Sequence, residues 1–306
     1  MQKKLLEWYE EYGRHSLPWR NTSDIYHIYL SEIMLQQTQV NRVQEEYYPQ
    51  FLAKFPTLKS LAEAPLDEVL ASWSGLGYYS RARNLHATAK LVSEQLPSEL
   101  KELVKLPGIG RYTASAICSF GHKQNVPVVD TNIARVIKRV FALLEPQEKQ
   151  IWEKAEILLN EQAPREHNLA LMDLGSMICV PKNPNCNECP LSFICAGKNE
   201  PELYTQVKKK EYEAMDLFYG LLVKENQIAL KMSDGPMYKN MLELPSVEPI
   251  EENLMGVFKH SYTKYRLSVH LYELQEFSDN VEWYELDKIE NAPISSLTKK
   301  ALKFIK

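Results

Sequence analysis

The sequence lacks any apolar run that approaches the roughly 20 residues an α-helix needs to cross a bilayer. Its N-terminal segment, MQKKLLEWYEEYGRHSLPWR, is charged throughout and has no continuous apolar signal region. Proline and glycine, with 17 and 11 occurrences among 306 residues, are too scarce for a fibrous or low-complexity chain. These absences disfavour secretion and membrane spanning, and we expect a cytoplasmic monomer.

An excess of positive charge is also missing. Thirty-six Lys and Arg stand against 40 Asp and Glu, a net charge of −4, so the overall charge gives no argument for a polyanionic partner. Between Lys105 and Arg139, however, six basic residues accompany one acid, Asp130. This local asymmetry makes a basic face possible, although a solvated surface without a ligand explains it equally well.

Hydrophobic spacing divides the chain into two regions. Over residues 1–205 apolar residues recur at intervals of three and four, which predicts a helical domain. Residues 206–214 carry a KKK run with flanking acids, typical of a solvated linker. Over residues 215–306, two apolar runs in DLFYGLLVKENQIALKM predict a hairpin and the alternation in KYRLSVHLYEL predicts a strand. The predicted fold class is therefore mostly α, with a smaller α+β domain at the end.

Four of the five cysteines, Cys179, Cys186, Cys189 and Cys195, lie within 17 residues. In a chain without a secretion signal such clustering indicates metal or cluster ligation instead of disulfides. An iron–sulfur cluster is favoured over zinc, because zinc ribbons usually contain two C-x2-C pairs and this loop has one. Zinc and unligated cysteines remain open as alternatives. Cys118, which stands alone, is interpreted as a small buried hydrophobe.

A glycine-rich turn, LPGIGRY at residues 106–112, leads directly into the helical stretch TASAICSF. Two glycines one residue apart allow such a turn to present backbone N–H groups at a helix N-terminus, where a phosphate is favoured. These contacts position a duplex without reading its sequence. By itself the turn is more often a simple helix connection. Together with the basic stretch and the cysteines, it indicates a helix-hairpin-helix element at about residues 106–120.

In this order LPGIGRYTASAI, VVDTNIARV and the cysteine loop resemble the endonuclease III superfamily of DNA glycosylases. LPWR (17–20), SEIMLQQTQV (31–40) and WSGLGYYSRARNLH (73–86) are similar to the adenine DNA glycosylases of the MutY family. The resemblance covers about residues 5–200 and weakens over 215–306, where that family carries a Nudix-like domain that contacts the base opposite the target. It implies a two-part helical glycosylase core with a [4Fe–4S] cluster on the four loop cysteines.

The resemblance also implies the reaction, which is hydrolysis of the N-glycosidic bond of an adenine flipped from double-stranded DNA, where it is mispaired with 8-oxoguanine or guanine. Glu32 matches the family's acid and Asp130 its second carboxylate. Glu32 must then have a raised pKa, whereas Asp130 should stay ionised. Tyr112 stands where strand-cleaving relatives carry a Schiff-base lysine, so a monofunctional enzyme is expected. Asn132 and Arg20 match family residues near Asp130 and the adenine pocket.

Further residues carry over to DNA binding. Gln37 and Tyr78 correspond to residues that enter the base stack, and Leu35 is a third candidate. For Leu35 and Tyr78, core packing is the competing interpretation. The remaining predicted contacts lie in the hairpin turn and in the C-terminal region: Gly108, Gly110, Arg111, Tyr262, Thr263 and Lys264.

The sequence departs from the family pattern at several positions. Thr131 replaces the glycine of the family's D-G-N. If that glycine has a positive φ in the relatives, the catalytic loop of this chain must differ from theirs. Ile25 replaces the proline of D-P-Y. Residues 262–264 replace a phenylalanine-serine-histidine motif that contacts 8-oxoguanine, and Asn240 replaces a glycine. The C-terminal region has no R-E-x-x-E-E run, so a second, Nudix-type hydrolase activity is not expected.

Three other functions compete with adenine excision. The first is excision of a different base on the same scaffold, such as thymine opposite guanine. Glu32 disfavours it, because a pyrimidine leaving group has no N7 to protonate. The second is a non-catalytic iron–sulfur DNA-binding protein, and the third a metal-sensing regulator. Neither explains why Glu32, Asp130 and Tyr112 occur together.

Overall fold

The computed structural model describes residues 2–205, 211–249, 252–277 and 281–305. Contacts between Cα atoms divide the chain into two compact units. The first comprises Met1–Leu52, Thr57–Lys59 and Ala87–Lys208, and the second comprises Ala53–Pro56, Ser60–His86 and Lys209–Lys306. No helix in the described residues is long and apolar enough to span a bilayer. The first five residues of the predicted linker, 206–210, lie outside the described residues.

Helices account for the regular structure of residues 2–205, which confirms the predicted helical region. They are α1 (Gln2–Tyr12), α2 (Ile25–Met34), α3 (Val40–Arg42), α4 (Tyr48–Lys54), α5 (Leu58–Glu63), α6 (Leu66–Ser72), α7 (Ser80–Val92), α8 (Leu100–Leu103), α9 (Arg111–Ala116), α10 (Thr131–Val140), α11 (Glu148–Leu158) and α12 (Pro164–Met177). Wider π-helical turns continue α3 over Val43–Tyr47 and α9 over Ile117–Gly121. The helical spacing of residues 29–55 is interrupted between α2 and α3, where Gln37 has a φ of 57°.

The core of the first unit lies where α12 packs against α1 and α10. α10 is strongly amphipathic and buries Ile133, Val136 and Ile137 on one face. α2 is different, because almost every residue from Tyr26 to Met34 is buried. A helix that is apolar on all sides belongs inside a protein. Its single acid, Glu32, is therefore carried into the interior.

The second unit contains two small sheets. The first has the order β1-β6-β5, with β1 (Glu213–Leu221) parallel and β5 (Leu254–Tyr262) antiparallel to β6 (Tyr265–Glu273). In the second sheet, β3 (Gln227–Met232) pairs antiparallel with β2 (Val223–Lys224), β4 (Leu242–Glu243) and β7 (Glu282–Glu285). The final helix is α13 (Ser296–Ala301). The predicted strand lies in β6, and the predicted hairpin forms between β2 and β3.

Residues 60–86 are grouped with the C-terminal strands, whereas the sequence pattern assigned them to the helical domain. The reason lies in contacts that helical spacing does not reveal. The Ser74 hydroxyl donates to the Ile294 carbonyl at 2.9 Å, and the Arg83 guanidinium donates to the Lys239 carbonyl at 2.9 Å. The proposed functional domain boundaries remain a prediction.

Candidate active site

The predicted catalytic residues meet at one cavity of the first unit, with a volume of about 260 Å³. Small-molecule sites usually measure about 300–1,000 Å³, so this cavity lies just below the lower end of that range and suits a small ligand. Apolar side chains such as Leu17 and Trp19 form part of the wall. The sequence-predicted residues that line it are Arg20, Glu32, Leu35, Tyr112, Asp130 and Asn132.

Glu32 is buried in this cavity, with 6% of its surface exposed, so it is not a solvent-facing helix carboxylate. The Tyr112 hydroxyl donates to Glu32 Oε2 at 2.6 Å. Burial raises the pKa of Glu32 to about 7; the Tyr112 hydrogen bond and Arg20 oppose the rise, and the charge of Asp130 adds to it. Glu32 therefore titrates near neutrality, as the family's acid requires. Burial also keeps the pKa of Tyr112 well above its ordinary value, so Tyr112 remains a donor.

Asp130 is the N-cap of α10 and holds this position with its side chain. Its Oδ1 accepts from the Ile133 N–H at 2.6 Å, and its Oδ2 accepts from Asn132 Nδ2 at 2.9 Å. Burial raises the pKa of Asp130, while these hydrogen bonds and Arg135 act in the opposite direction. Capping and a cavity-facing position thus coexist in one carboxylate. Its ionised state stays a prediction.

Thr131 needs no special backbone conformation. It is the first residue of α10 and does not belong to the described residues with positive φ. The replacement of the family's glycine therefore leaves this helix start regular. Ile25 likewise begins α2, and Asp24 caps that helix by accepting from the Tyr26 and His27 N–H groups.

Asp173, to which no sequence motif points, is completely buried in α12. Its two carboxylate oxygens accept from both terminal nitrogens of Arg20, at 2.5 and 2.7 Å. They also accept from Arg14, from Nε at 2.6 Å and from the backbone N–H at 2.9 Å. The acid thus fixes Arg20 in the cavity wall and neutralises part of its charge. The available signal was an isolated acid in the apolar run ALMDLG, the pattern that also surrounds Glu32.

Arg135 is a second residue that the sequence analysis left without a role. Its guanidinium donates to Asn132 Oδ1 at 2.9 Å, to the Cys179 carbonyl at 2.7 Å and to the Gly175 carbonyl at 2.6 Å. These bonds orient the Asn132 amide so that its NH2 group faces Asp130. A Cβ on Gly175 would lie 2.7 Å from Asn132 Cβ, so glycine is required where α12 approaches α10.

The four loop cysteines line one common cavity, together with Arg139 and Pro184. All four are free of disulfides. Arg139, which is 1% exposed, donates to Cys179 Sγ at 3.2 Å and to the carbonyl oxygens of Val180 and Pro181. Convergent thiols with an arginine beside one sulfur fit an anionic thiolate-ligated group. In the described residues no group of three or more His, Cys, Asp or Glu side chains is arranged to hold a single metal ion.

The residues predicted to contact DNA are distributed over several surfaces. In the first unit, Gln37 lines a groove of about 750 Å³ that shares Glu32 and Tyr112 with the cavity described above. Gly108 has a φ of 72° in the hairpin turn, and Gly110 precedes α9. The Arg111 guanidinium lies 4.0 Å from the centroid of the Trp152 ring.

In the second unit Tyr78, Tyr262 and Thr263 line a cavity of about 230 Å³. Thr263 and Lys264 form the two-residue turn between β5 and β6, and Thr263 has a φ of 49°. Lys264 does not line that cavity. Its ammonium group donates to Glu213 Oε1 at 2.6 Å on the exposed surface.

Asn240 has a φ of 61°, which asparagine tolerates well, and this explains how it can replace a glycine.

The comparisons with known proteins agree with the helical fold. Residues 30–161 match the family model described as HhH-GPD superfamily base excision DNA repair protein. The solved structure of a thermostable thymine-DNA glycosylase is 30% identical, with a TM-score of 0.60, and covers 65% of this chain and 95% of that chain. The helical fold, the buried carboxylate and the match to this family model together define a helix-hairpin-helix DNA glycosylase.

Two relatives narrow this class. An adenine DNA glycosylase of Buchnera aphidicola subsp. Schizaphis graminum is 30% identical over 339 aligned positions, which cover 99% of this chain and 97% of the relative. The Homo sapiens adenine DNA glycosylase is 40% identical over 216 positions, which cover 65% of this chain and 39% of the relative. The chain belongs to the adenine DNA glycosylase family.

Proposed function

We propose that this protein flips adenine out of duplex DNA, where it is mispaired with guanine or 8-oxoguanine, and hydrolyses its N-glycosidic bond. The observation that carries the proposal is a carboxyl with a pKa of about 7 inside a cavity of about 260 Å³. The cavity takes the adenine, and Arg20, held by Asp173, forms part of its polar wall. Gly108, Gly110 and Arg111 of the hairpin contact the DNA backbone, which positions the duplex without reading sequence.

Glu32 acts as the general acid. The Tyr112 hydroxyl occupies Oε2, so the proton is carried on Oε1 and passes to adenine N7. Protonation allows the C1′–N9 bond to break with its electron pair leaving on the base as a neutral purine. The raised pKa matters because a carboxyl with an ordinary value would have lost this proton at neutral pH.

Asp130 supports the positive charge that develops on the sugar as the bond breaks. Its lone pairs are directed by the Ile133 N–H and Asn132 hydrogen bonds. Water then adds to C1′, and the proton that it releases restores the acid form of Glu32. Tyr112 cannot form a Schiff base, so the enzyme releases the base without cutting the strand.

A single panel of duplexes tests the function. It contains adenine opposite 8-oxoguanine, guanine, cytosine and an abasic site, together with thymine opposite guanine. We expect release of adenine and no strand cleavage before treatment with alkali or heat. Thymine release would favour the specificity of the structural neighbour. Cleavage without alkali would contradict the role assigned to Tyr112.

The C-terminal strands are proposed to form a Nudix-like domain that contacts the base opposite adenine, with Tyr78, Tyr262 and Thr263 at one cavity. In 8-oxoguanine N7 bears a hydrogen, whereas in guanine it is an acceptor. A lysine ammonium only donates, so Lys264 cannot accept from the oxidised base. Its ion pair with Glu213 is exposed and screened by water, so it can open when DNA binds.

We therefore expect a weak preference for 8-oxoguanine, which Lys264→His should increase about tenfold, because a base-edge contact contributes about 1–3 kcal/mol. The measurement is the ratio of single-turnover rates for the 8-oxoguanine and guanine duplexes. Lys259→His, at an exposed lysine on β5, is the matched control and should leave the ratio unchanged. A strong preference in the wild type that Lys264→His does not alter would end this interpretation.

A [4Fe–4S] cluster is proposed on Cys179, Cys186, Cys189 and Cys195, supported by their common cavity. The group ties the loop to the end of the helical domain. Protein purified without oxygen should be brown, with about four irons per chain. Cys195→Ser should lose most of this iron, whereas Cys118→Ser, outside the loop, should retain it. Stoichiometric zinc in place of iron would favour the ribbon alternative.

A further inference from the structure

The turn that joins α6 to α7 has an uncommon backbone conformation. Gly75, Gly77 and Tyr78 have φ values of 93°, 78° and 50°. Glycine adopts this left-handed region freely, but tyrosine does so only where the surrounding structure holds it there. A Cβ on Gly77 would meet no atom within 4 Å, so the backbone conformation requires this glycine, not crowding.

Two side chains converge on the carbonyl oxygen of Gly77. Trp73 Nε1 donates to it at 3.1 Å, and the Arg81 guanidinium donates to it at 3.0 Å. The same guanidinium nitrogen reaches the Leu76 carbonyl at 3.3 Å. Trp73 is completely buried and Arg81 is 7% exposed, so neither donor can find water if the turn moves. Rotation of the Gly77–Tyr78 peptide would break both hydrogen bonds at a buried position, which is costly.

Arg81 also contacts the aromatic ring of Tyr78. Its guanidinium carbon lies 5.5 Å from the centroid of Tyr78 and 5.4 Å from that of Trp73. Burial lowers the pKa of Arg81 to about 10, so it stays charged at neutral pH and attracts both rings. The Tyr78 side chain is nevertheless 39% exposed. The backbone of Tyr78 is thus held in place while its side chain remains partly accessible.

We propose that Trp73 and Arg81 are positioning residues that fix the orientation in which the Tyr78 ring enters the base stack. The proposal rests on the function above, in which Tyr78 is an inserting side chain. Insertion offsets the free energy of unstacking. A ring that is already oriented loses less conformational freedom on insertion and so contributes more to binding.

The test compares two duplexes that carry 2′-fluoro-deoxyadenosine, whose fluorine disfavours the oxocarbenium-like state and keeps the base attached. In one duplex guanine lies opposite, and in the other an abasic site, which removes the opposite base from the stack that Tyr78 enters. Trp73→Phe keeps a buried ring without the N–H, and Arg81→Met keeps the apolar stem without the donors. Both should raise the dissociation constant of the guanine duplex about fivefold to tenfold, the value of one or two hydrogen bonds.

Both variants should bind the abasic duplex as the wild type does. Tyr78→Ala should weaken guanine-duplex binding about thirtyfold, a typical loss for base stacking. Trp283→Phe, an indole change on β7, is the matched control and should alter neither constant. The double variant Trp73→Phe/Tyr78→Ala should bind no more weakly than Tyr78→Ala, because the effect of Trp73 is exerted through that ring.

Each other outcome contradicts a defined part of the argument. Equal losses on both duplexes, or an additive loss in the double variant, would mean that Trp73 and Arg81 only stabilise the fold, and would overturn the proposal. Unchanged binding by Trp73→Phe and Arg81→Met, with a loss for Tyr78→Ala, would overturn the positioning role alone. Unchanged binding by Tyr78→Ala would overturn the inserting role as well.

Discussion

Glu32→Gln is expected to reduce adenine release by about a thousandfold or more, which is the contribution of a well-placed general acid. The amide keeps the size of the side chain and can still accept from Tyr112, but it has no proton to give to adenine N7. Single-turnover rates measure the loss. Binding of the duplex should persist, because the residues that contact the backbone are untouched. Release within tenfold of the wild type would remove Glu32 from the mechanism.

Glu161→Gln is the matched control, because it removes the same charge from an exposed position. Its rate should equal that of the wild type. Asp130→Asn should be nearly as damaging as Glu32→Gln. It removes the negative charge that supports the sugar cation while leaving the cap of α10 largely in place.

The same carboxyl predicts the direction of the pH dependence. Burial holds the pKa of Glu32 at about 7, so the proton is present below this pH and is lost above it. The single-turnover rate should be level below pH 7 and fall about tenfold for each unit above it. Because the Tyr112 hydrogen bond lowers this pKa, Tyr112→Phe should move the falling limb to higher pH. A flat profile between pH 5 and 9 would contradict the assignment.

Asp173→Asn is expected to lower the free energy of unfolding by about 3–5 kcal/mol, because it leaves the guanidinium of Arg20 buried without a counter-charge. Urea unfolding at pH 7 measures the change. Asp234→Asn, at an exposed acid, is the control and should shift the midpoint little. A change below 1 kcal/mol for Asp173→Asn would show that Arg20 does not depend on this partner.

The effect of Asp173→Asn should also depend on pH. Burial by itself would raise the pKa of Asp173, but Arg20 and Arg14 outweigh it and hold the value below the ordinary one. The ion pair therefore stabilises the fold above the unfolded-state pKa of about 4, and this contribution is lost as the pH falls through the folded value. The difference in the free energy of unfolding between the wild type and Asp173→Asn should therefore become smaller in acid.

Helix positions could be predicted because burial imposes a period on the sequence. The amphipathic spacing of α10 and the apolar run of α2 both appear as helices. The break after α2 could not be predicted, since the spacing continues on both sides and the positive φ falls on Gln37 instead of a glycine. The link between residues 60–86 and the C-terminal strands was equally hidden, because it is formed by side chains bonded to distant carbonyls.

Motifs point to the cavity residues Glu32 and Asp130 and to their partners Tyr112 and Asn132. They do not point to Asp173 and Arg135, which hold Arg20 and Asn132. Arg135 binds backbone carbonyls of Gly175 and Cys179, and no side-chain pattern signals such acceptors. The family resemblance places Lys264 among the DNA contacts, and that remains a prediction. Its contact with Glu213, 51 residues away, follows only from the parallel pairing of β1 with β6.

Within the first unit, α10 connects the cavity that contains Asp130 with the cysteine loop. Asp130 caps it, Asn132 and Arg135 follow, and Arg139 reaches the cysteine loop. Adding or deleting one residue rotates everything beyond it by about 100°, which would turn the arginines away from their carbonyls. Changes of length among relatives should therefore be absent from α10 and fall in the connection at residues 141–147. Substitutions within α10 are therefore compatible with the site, whereas insertions and deletions are not.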